Sequence, residues 1–186
     1  MRSLIYIVYA VLQFLFVTAF ILRLLLPLLR ANMRNPISQA VLRATNPLVM
    51  PLRRVLPPIG RVDTASIVAL LLVQFVTVVI IAVLAGLPME PSFLLRETLL
   101  ALVNGILQFY RFALVIYVVI SWLAPHSYSP AGDVLASLCE SILKPIRRVI
   151  PPLAGLDFAA FFALIGITAL LIALEEFFPV GAFPFR

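Results

Sequence analysis

The stretch Pro51-Leu52-Arg53-Arg54-Val55-Leu56-Pro57-Pro58-Ile59-Gly60-Arg61-Val62-Asp63 returns ninety-four residues later as Pro145-Ile146-Arg147-Arg148-Val149-Ile150-Pro151-Pro152-Leu153-Ala154-Gly155-Leu156-Asp157. Proline, arginine pair, proline pair and aspartate all coincide at that one offset, and Asn35-Pro36 falls opposite Ser129-Pro130. Each copy stands between two long apolar runs. The chain therefore reads as a duplicated unit of helix, proline-arginine loop and helix, with residues 1–94 forming the first copy and 95–186 the second.

Hydrophobic residues make up 63% of the chain and charged residues 12%, which argues against an ordinary soluble domain. Four apolar segments, near Leu4–Leu29, Ala65–Leu87, Leu99–Leu123 and Phe158–Phe178, each supply the ~20 residues that a helix needs to cross a bilayer. The expected fold class is an all-α membrane protein: four transmembrane helices in two parallel helix-loop-helix repeats, with short amphipathic interfacial helices. The first apolar run is longer than a signal-peptide core and lacks a small-residue cleavage site, so it is expected to stay as a span.

The net charge of +6 is concentrated in the repeat loops, at Arg30, Arg34, Arg43, Arg53, Arg54 and Arg61 and again at Lys144, Arg147 and Arg148. That distribution fits a membrane surface and not nucleic acid. The positive-inside rule puts both loops in the cytoplasm and both termini outside. The single cysteine, Cys139, excludes an intramolecular disulfide and fits a reducing compartment.

Asn35-Pro36 and Ser129-Pro130 read as helix starts, a capping side chain followed by proline at the first helical position. After the first, Ile37, Val41, Ala44 and Leu48 fall near one face, with Ser38, Gln39 and Arg43 elsewhere. After the second, Leu135, Leu138, Cys139 and Ile142 share a face. Both are expected to be short helices in the headgroup region. Pro47, Pro51 and Pro145 should end them, leaving an extended segment through the arginine pairs that turns at Pro57-Pro58 and Pro151-Pro152.

Arg53, Arg54, Arg147 and Arg148 would then lie level with anionic headgroups, where each gains about 1 kcal/mol and can fork onto phosphate. They either fix topology and depth or bind lipid or a partner. Asp63 and Asp157 precede the second helix of each unit and read first as caps, second as partners of the arginines.

Inside the spans, Asn104, Gln108 and Arg111 follow at four and three residues and line one helix face. A mid-span charge costs about 2.5–3.5 kcal/mol, so this stripe is a functional-site hypothesis, with Glu175 or Glu176 as the expected partner of Arg111. Gln13 and Gln74 read as interhelical packing, and Arg23, near a span end, as needing no special role.

The proline-arginine pattern, led by Thr45-Asn46-Pro47 in the first copy, and Ser121-Trp122 at the end of the third span resemble the YggT family of bacterial integral membrane proteins. The resemblance covers nearly the whole chain. It departs at Cys139-Glu140-Ser141 and at Ala154-Gly155, where the second copy differs from the first. It implies a multi-pass protein of the bacterial plasma membrane without established catalysis. Relatives are linked to osmotic tolerance, to cell division and envelope organisation, and in chloroplasts to assembly of a cytochrome complex. A haem site does not carry over, since His126 is the only histidine.

The sequence contains no Ser/His/Asp or Cys/His set, no metal-ligand cluster and no phosphate-binding glycine loop. The expectation is a non-enzymatic scaffold or assembly factor without cofactor, whose loops contact headgroups or a protein partner. A homo-oligomer is compatible with the sequence. A channel or transporter for ions or osmolytes, using the Arg111 stripe, is the alternative.

Overall fold

The computed structural model describes residues 2–29, 31–59, 63–123, 129–149 and 157–178. Pro151, Pro152, His126, Arg30, Arg61 and Arg186 lie outside these residues. Every regular element among the described residues is helical. The first rod joins α1 (Arg2–Val11), a π-helical stretch (Leu12–Val17) and α2 (Thr18–Leu28). It is followed by α3 (Pro36–Val55), α4 (Thr64–Ala85), α5 (Pro91–Leu123), α6 (Pro130–Arg147) and α7 (Phe158–Phe177). Four rods are long and apolar enough to cross a membrane: Ser3–Leu28, Thr64–Ala85, Pro91–Ser121 and Phe158–Phe177. The protein is thus a multi-pass helical membrane protein.

The spans α4 and α7 are apolar nearly all round, as a lipid-facing bundle requires, and large side chains such as Leu72, Val76, Val83, Phe161 and Ile172 point outward. Small residues face inward. Ala65, Ser66 and Ala69 on α4 are fully buried, and so are their counterparts at the ninety-four-residue offset on α7, Ala159, Ala160 and Ala163. In a bilayer lipid tails are as apolar as leucine, so helices associate through close contact, which small residues permit. Against these seams pack the elbow helices: Val49 of α3 joins Ala65 and Ala69, and Leu143 and Cys139 of α6 join Ala159, Ala160 and Ala163.

The elbow helices α3 and α6 run further than the sequence suggested. Pro47, Pro51 and Pro145 sit inside them, and Arg53 and Arg54 or Arg147 occupy the last turn instead of an extended strand. A proline removes one ladder bond and pushes away the carbonyl four residues back. Here all three prolines are exposed, as are Arg43, Pro47 and Ser141, which carry the displaced carbonyls. On that face a helix can open its carbonyls outward and continue. The helix gives way at Leu56, extended (φ −114°, ψ 93°) because Pro57 follows, and the Thr64 hydroxyl donates to Pro57 O at 2.8 Å.

The buried face of α3 also differs from the expected one. Ser38, Thr45 and Val49 are buried, whereas Ala44 and Leu48 are exposed. Polar atoms inside the bundle need partners, and Thr45 stands where one is available. On α6, Leu138 and Cys139 are buried with Leu135 and Ile142 packed beside them.

The two elbows lie on the same side of the bundle and touch. Asn35 accepts from Ile37 N at 2.9 Å, capping α3, while its Nδ2 donates to Pro130 O at 2.9 Å and to Asp133 at 3.3 Å. Ser129 caps α6 by accepting from Gly132 N at 3.0 Å. Asn35→Ala removes a cap and the link between elbows, whereas Ser129→Ala removes a cap alone. Thermal unfolding in detergent should show a loss of about 1 kcal/mol for Ser129→Ala and a clearly larger one for Asn35→Ala.

Candidate functional site

At the foot of the first helix pair a polar network crosses three rods. Arg23, on α2, is 2% exposed. Its Nε donates to Ser66 Oγ on α4 at 3.1 Å, and its Nη1 donates to Leu42 O at 3.1 Å, Thr45 Oγ1 at 2.7 Å and Asn46 Oδ1 at 2.8 Å on α3. Ser66 in turn donates to Asp63 at 2.7 Å, and Asp63 is ion-paired with Arg53. Arg23 is therefore the hub that ties the first span to its elbow and to the next span, not the idle span-end charge the sequence suggested. Spacing in the sequence does not reveal it, because it depends on α3 packing against α2, which brings Leu42, Thr45 and Asn46 to the guanidinium.

The second pair solves the same problem with different atoms. Tyr117 stands at the offset position of Arg23, and Glu140 at that of Asn46. Arg147 supplies the cation. It donates to Asp157 at 3.1 Å, to Glu140 at 2.8 Å and to the Tyr117 hydroxyl at 3.3 Å. The carboxylates differ as well. Asp157 also caps α7, accepting from Ala159 N at 3.1 Å, whereas the Asp63 side chain makes no backbone cap. The capping role expected for Asp63 gives way to Ser66 and Arg53.

Burial pushes the Asp63 carboxyl up, but the hydrogen bonds from Arg53 and Ser66 and the charges of Arg53 and Arg23 outweigh it and hold it below the usual carboxylate range. The Arg147 guanidinium is raised, first by its bond to Asp157. In both elbows the next residues, Arg54-Val55 and Arg148-Val149, face outward, with Val55 78% and Val149 81% exposed. One arginine of each pair is thus ion-paired to the aspartate and the other presented beside an exposed valine.

The intramembrane stripe faces a cavity of about 900 Å³ between the first rod and α5. Asn104, Gln108 and Arg111 line it from α5, Tyr6, Tyr9, Gln13 and Thr18 from the first rod, and Glu175 from α7. Arg111 and Glu175 share this space, but no ion pair joins them among the described residues. The π-helical stretch begins one residue before Gln13, whose carbonyl accepts from the Thr18 hydroxyl at 3.0 Å. Such π turns recur at functional sites. Gly105 lets the Gln13 amide lie against α5, because a Cβ there would stand 2.3 Å from Gln13 Nε2.

Several buried polar atoms have no hydrogen-bond partner among the described residues: Gln13 Oε1 and Asn104 Oδ1 at the cavity, and both amide atoms of Gln74 and Glu97 Oε2 elsewhere in the bundle. Gln13 packs across the helix interface at Gly105, while neither its Oε1 nor the Gln74 amide makes a hydrogen bond among the described residues. Glu97 lies two residues before the third apolar segment, which the sequence starts near Leu99. The helix in fact starts at Pro91, and Glu97 is fully buried, seven residues before Asn104 and on the same face, with Arg96 at 2.9 Å. A heptad count back from Asn104 would have found it. Among the described residues no cluster of His, Cys, Asp and Glu could hold a metal ion.

Removing Arg23 orphans acceptors on two helices. Arg23→Leu should lower unfolding stability in detergent by about 3 kcal/mol. The folded-state carboxyl of Asp63 lies below its unfolded value of about 3.9, so its stabilisation is present above that pH and is lost as pH falls through the depressed folded value. Asp63→Asn should flatten the acid limb of a stability-versus-pH curve measured by thermal unfolding.

The sequence model of the CCB3/YggT family matches residues 1–84 and 97–178. The chain is 39% identical over 155 residues to the uncharacterized protein PA0392 of Pseudomonas aeruginosa, covering 82% of this chain and 79% of that one. It is 29% identical to the uncharacterized protein YggT of Escherichia coli K12, over 87% and 84% of the two chains. No solved structure matches the chain. With two matched segments that take in both helix pairs, and with full-length relatives of the same kind, the chain belongs to the CCB3/YggT family.

Proposed function

We propose that the protein is a non-enzymatic scaffold or assembly factor whose two elbows together form a docking surface for anionic headgroups and for a membrane or cytoplasmic protein partner. The observation that carries this reading is the division of labour in each arginine pair. Arg53 and Arg147 are held by Asp63 and Asp157, which fixes the elbow, while Arg54-Val55 and Arg148-Val149 project from it. A cation beside an exposed valine suits the boundary between headgroups and acyl chains, where a basic side chain gains about 1 kcal/mol. The contact between the starts of α3 and α6 supports this reading, because it joins the two elbows on one side of the bundle, from which a partner can approach either projection.

Solute passage, the second reading, rests on the polar stripe facing a cavity. An apolar cluster of Leu26, Ala31, Val134 and Leu138 lies on the elbow side of that cavity and weighs against a continuous pore. A photo-crosslinking residue at Val55 or Val149 in native membranes should capture a stoichiometric protein or lipid adduct that Arg54→Ala/Arg148→Ala abolishes. Proteoliposomes of the same protein should show no ion or osmolyte flux. Flux lost on Arg111→Ala, with no elbow adduct, would replace the scaffold with a transporter.

A further inference from the structure

The central cavity has a chemical order along the membrane normal that the elbow reading leaves unused. At 1.5 Å of rise per residue, Glu175 lies about 26 Å from the elbow-side end of α7, and Arg111 about 18 Å from that of α5. Asn104 and Gln13 lie about 28 and 22 Å from the elbow-side ends of α5 and the first rod. From that level to the elbows the wall turns apolar, with Leu22, Ile116 and Leu138. On the bilayer side stand Phe14 and Phe112, both more than half exposed, their rings edge to face at 6.5 Å. The space is thus bordered by side chains that face acyl tails.

We propose that this cavity binds the head and one hydrocarbon chain of an amphiphile carrying a primary ammonium and a phosphate, entering sideways from the leaflet opposite the elbows. The charges match in order and in sign. Among the described residues the cavity offers one carboxylate, Glu175, farther from the elbows and one guanidinium, Arg111, deeper in. An ethanolamine phosphate head places its ammonium outermost and its phosphate beneath, with the chain pointing to the bilayer centre.

The hydrogen bonds match in number. A primary ammonium has three N–H donors. Residues lining the cavity carry three acceptors for them: the Glu175 carboxylate and the amide oxygens Gln13 Oε1 and Asn104 Oδ1, both buried without a donor among the described residues. A buried unpaired carbonyl is costly, and a donor arriving with the ligand removes that cost twice. A quaternary choline head has no N–H and leaves both oxygens unpaired. A glycerol head has hydroxyl donors but brings no cation for Glu175. The phosphate compensates Arg111, whose charge otherwise stands near mid-bilayer without a carboxylate within ion-pair distance among the described residues. The volume of about 900 Å³ suits a head and a single chain.

The test is native mass spectrometry of the full chain in detergent, titrated with palmitoyl lysophosphatidylethanolamine, lysophosphatidylcholine, lysophosphatidylglycerol and a dioleoyl phosphatidylethanolamine. The ethanolamine probe should bind one to one and at least tenfold tighter than the choline and glycerol probes. Asn104→Ala should shrink the preference of ethanolamine over choline, and Arg111→Gln should weaken both. Equal binding of ethanolamine and choline by the unsubstituted protein, a tighter glycerol probe, or unaltered affinity in Arg111→Gln would overturn the assignment. The head-group ranking needs no variant, so it stands even if a substituted chain fails to fold. Comparable binding of the dioleoyl probe would identify bulk bilayer lipid as the source of the ligand, and binding of the monoacyl probe alone a lysolipid; both agree with the proposed site.

Discussion

A guanidinium bound to a carboxylate at the foot of each helix pair holds the rest of the architecture in place. A chain that leaves the bilayer, lies along its surface and re-enters must fix that surface segment against two spans at once. Dispersion contacts among alanines cannot specify such an angle, because lipid offers nearly the same contacts. A charged hydrogen bond can. Arg53 to Asp63 and Arg147 to Asp157 each join the end of an elbow helix to the start of the following span. Charge-assisted bonds of this kind are stronger and more directional than neutral ones.

The two copies share that clamp and differ around it. In the first, a second guanidinium from Arg23 of the preceding span binds Thr45, Asn46 and Ser66. In the second, Tyr117 and Glu140 take the places of Arg23 and Asn46, so Arg147 alone serves the preceding span, the elbow and the following span. The first network thus carries an extra cation and the second an extra carboxylate. The copies share the same clamp and are opposite in local charge, so any ligand of the elbows would meet two different surroundings.

Much of this could be read from the order of residues. The offset of ninety-four marks the four spans and two elbows, because length and apolarity decide what crosses a bilayer. The caps at Asn35 and Ser129 stand where the Asn-Pro and Ser-Pro pairs put them. The interior was less legible for three physical reasons. Proline rules describe an isolated helix, whereas Pro47, Pro51 and Pro145 lie on an outward face where displaced carbonyls are tolerated. Arg23 reads as a snorkelling charge until the position of α3 is known. Glu97 lies outside the run of apolar residues and inside the helix, because α5 is 33 residues long, about 50 Å, and exceeds the hydrocarbon layer. The stripe of Asn104, Gln108 and Arg111 was visible as a helix face, but the cavity it faces depends on the π turn at Gln13 and on Gly105.

The family relation accounts for the architecture, and the relatives described here are themselves uncharacterized, so function must be argued from the elbows and the cavity. Both depend on the two helix pairs running in the same direction, with α3 and α6 side by side. Single cysteines placed next to Arg54 and next to Arg148 and labelled by a membrane-impermeant maleimide in sealed vesicles test this most directly. The native Cys139 is buried and its thiol is pushed up to about 12, so it contributes no background. The account predicts that both sites react from the same face of the membrane. Reaction from opposite faces would contradict it.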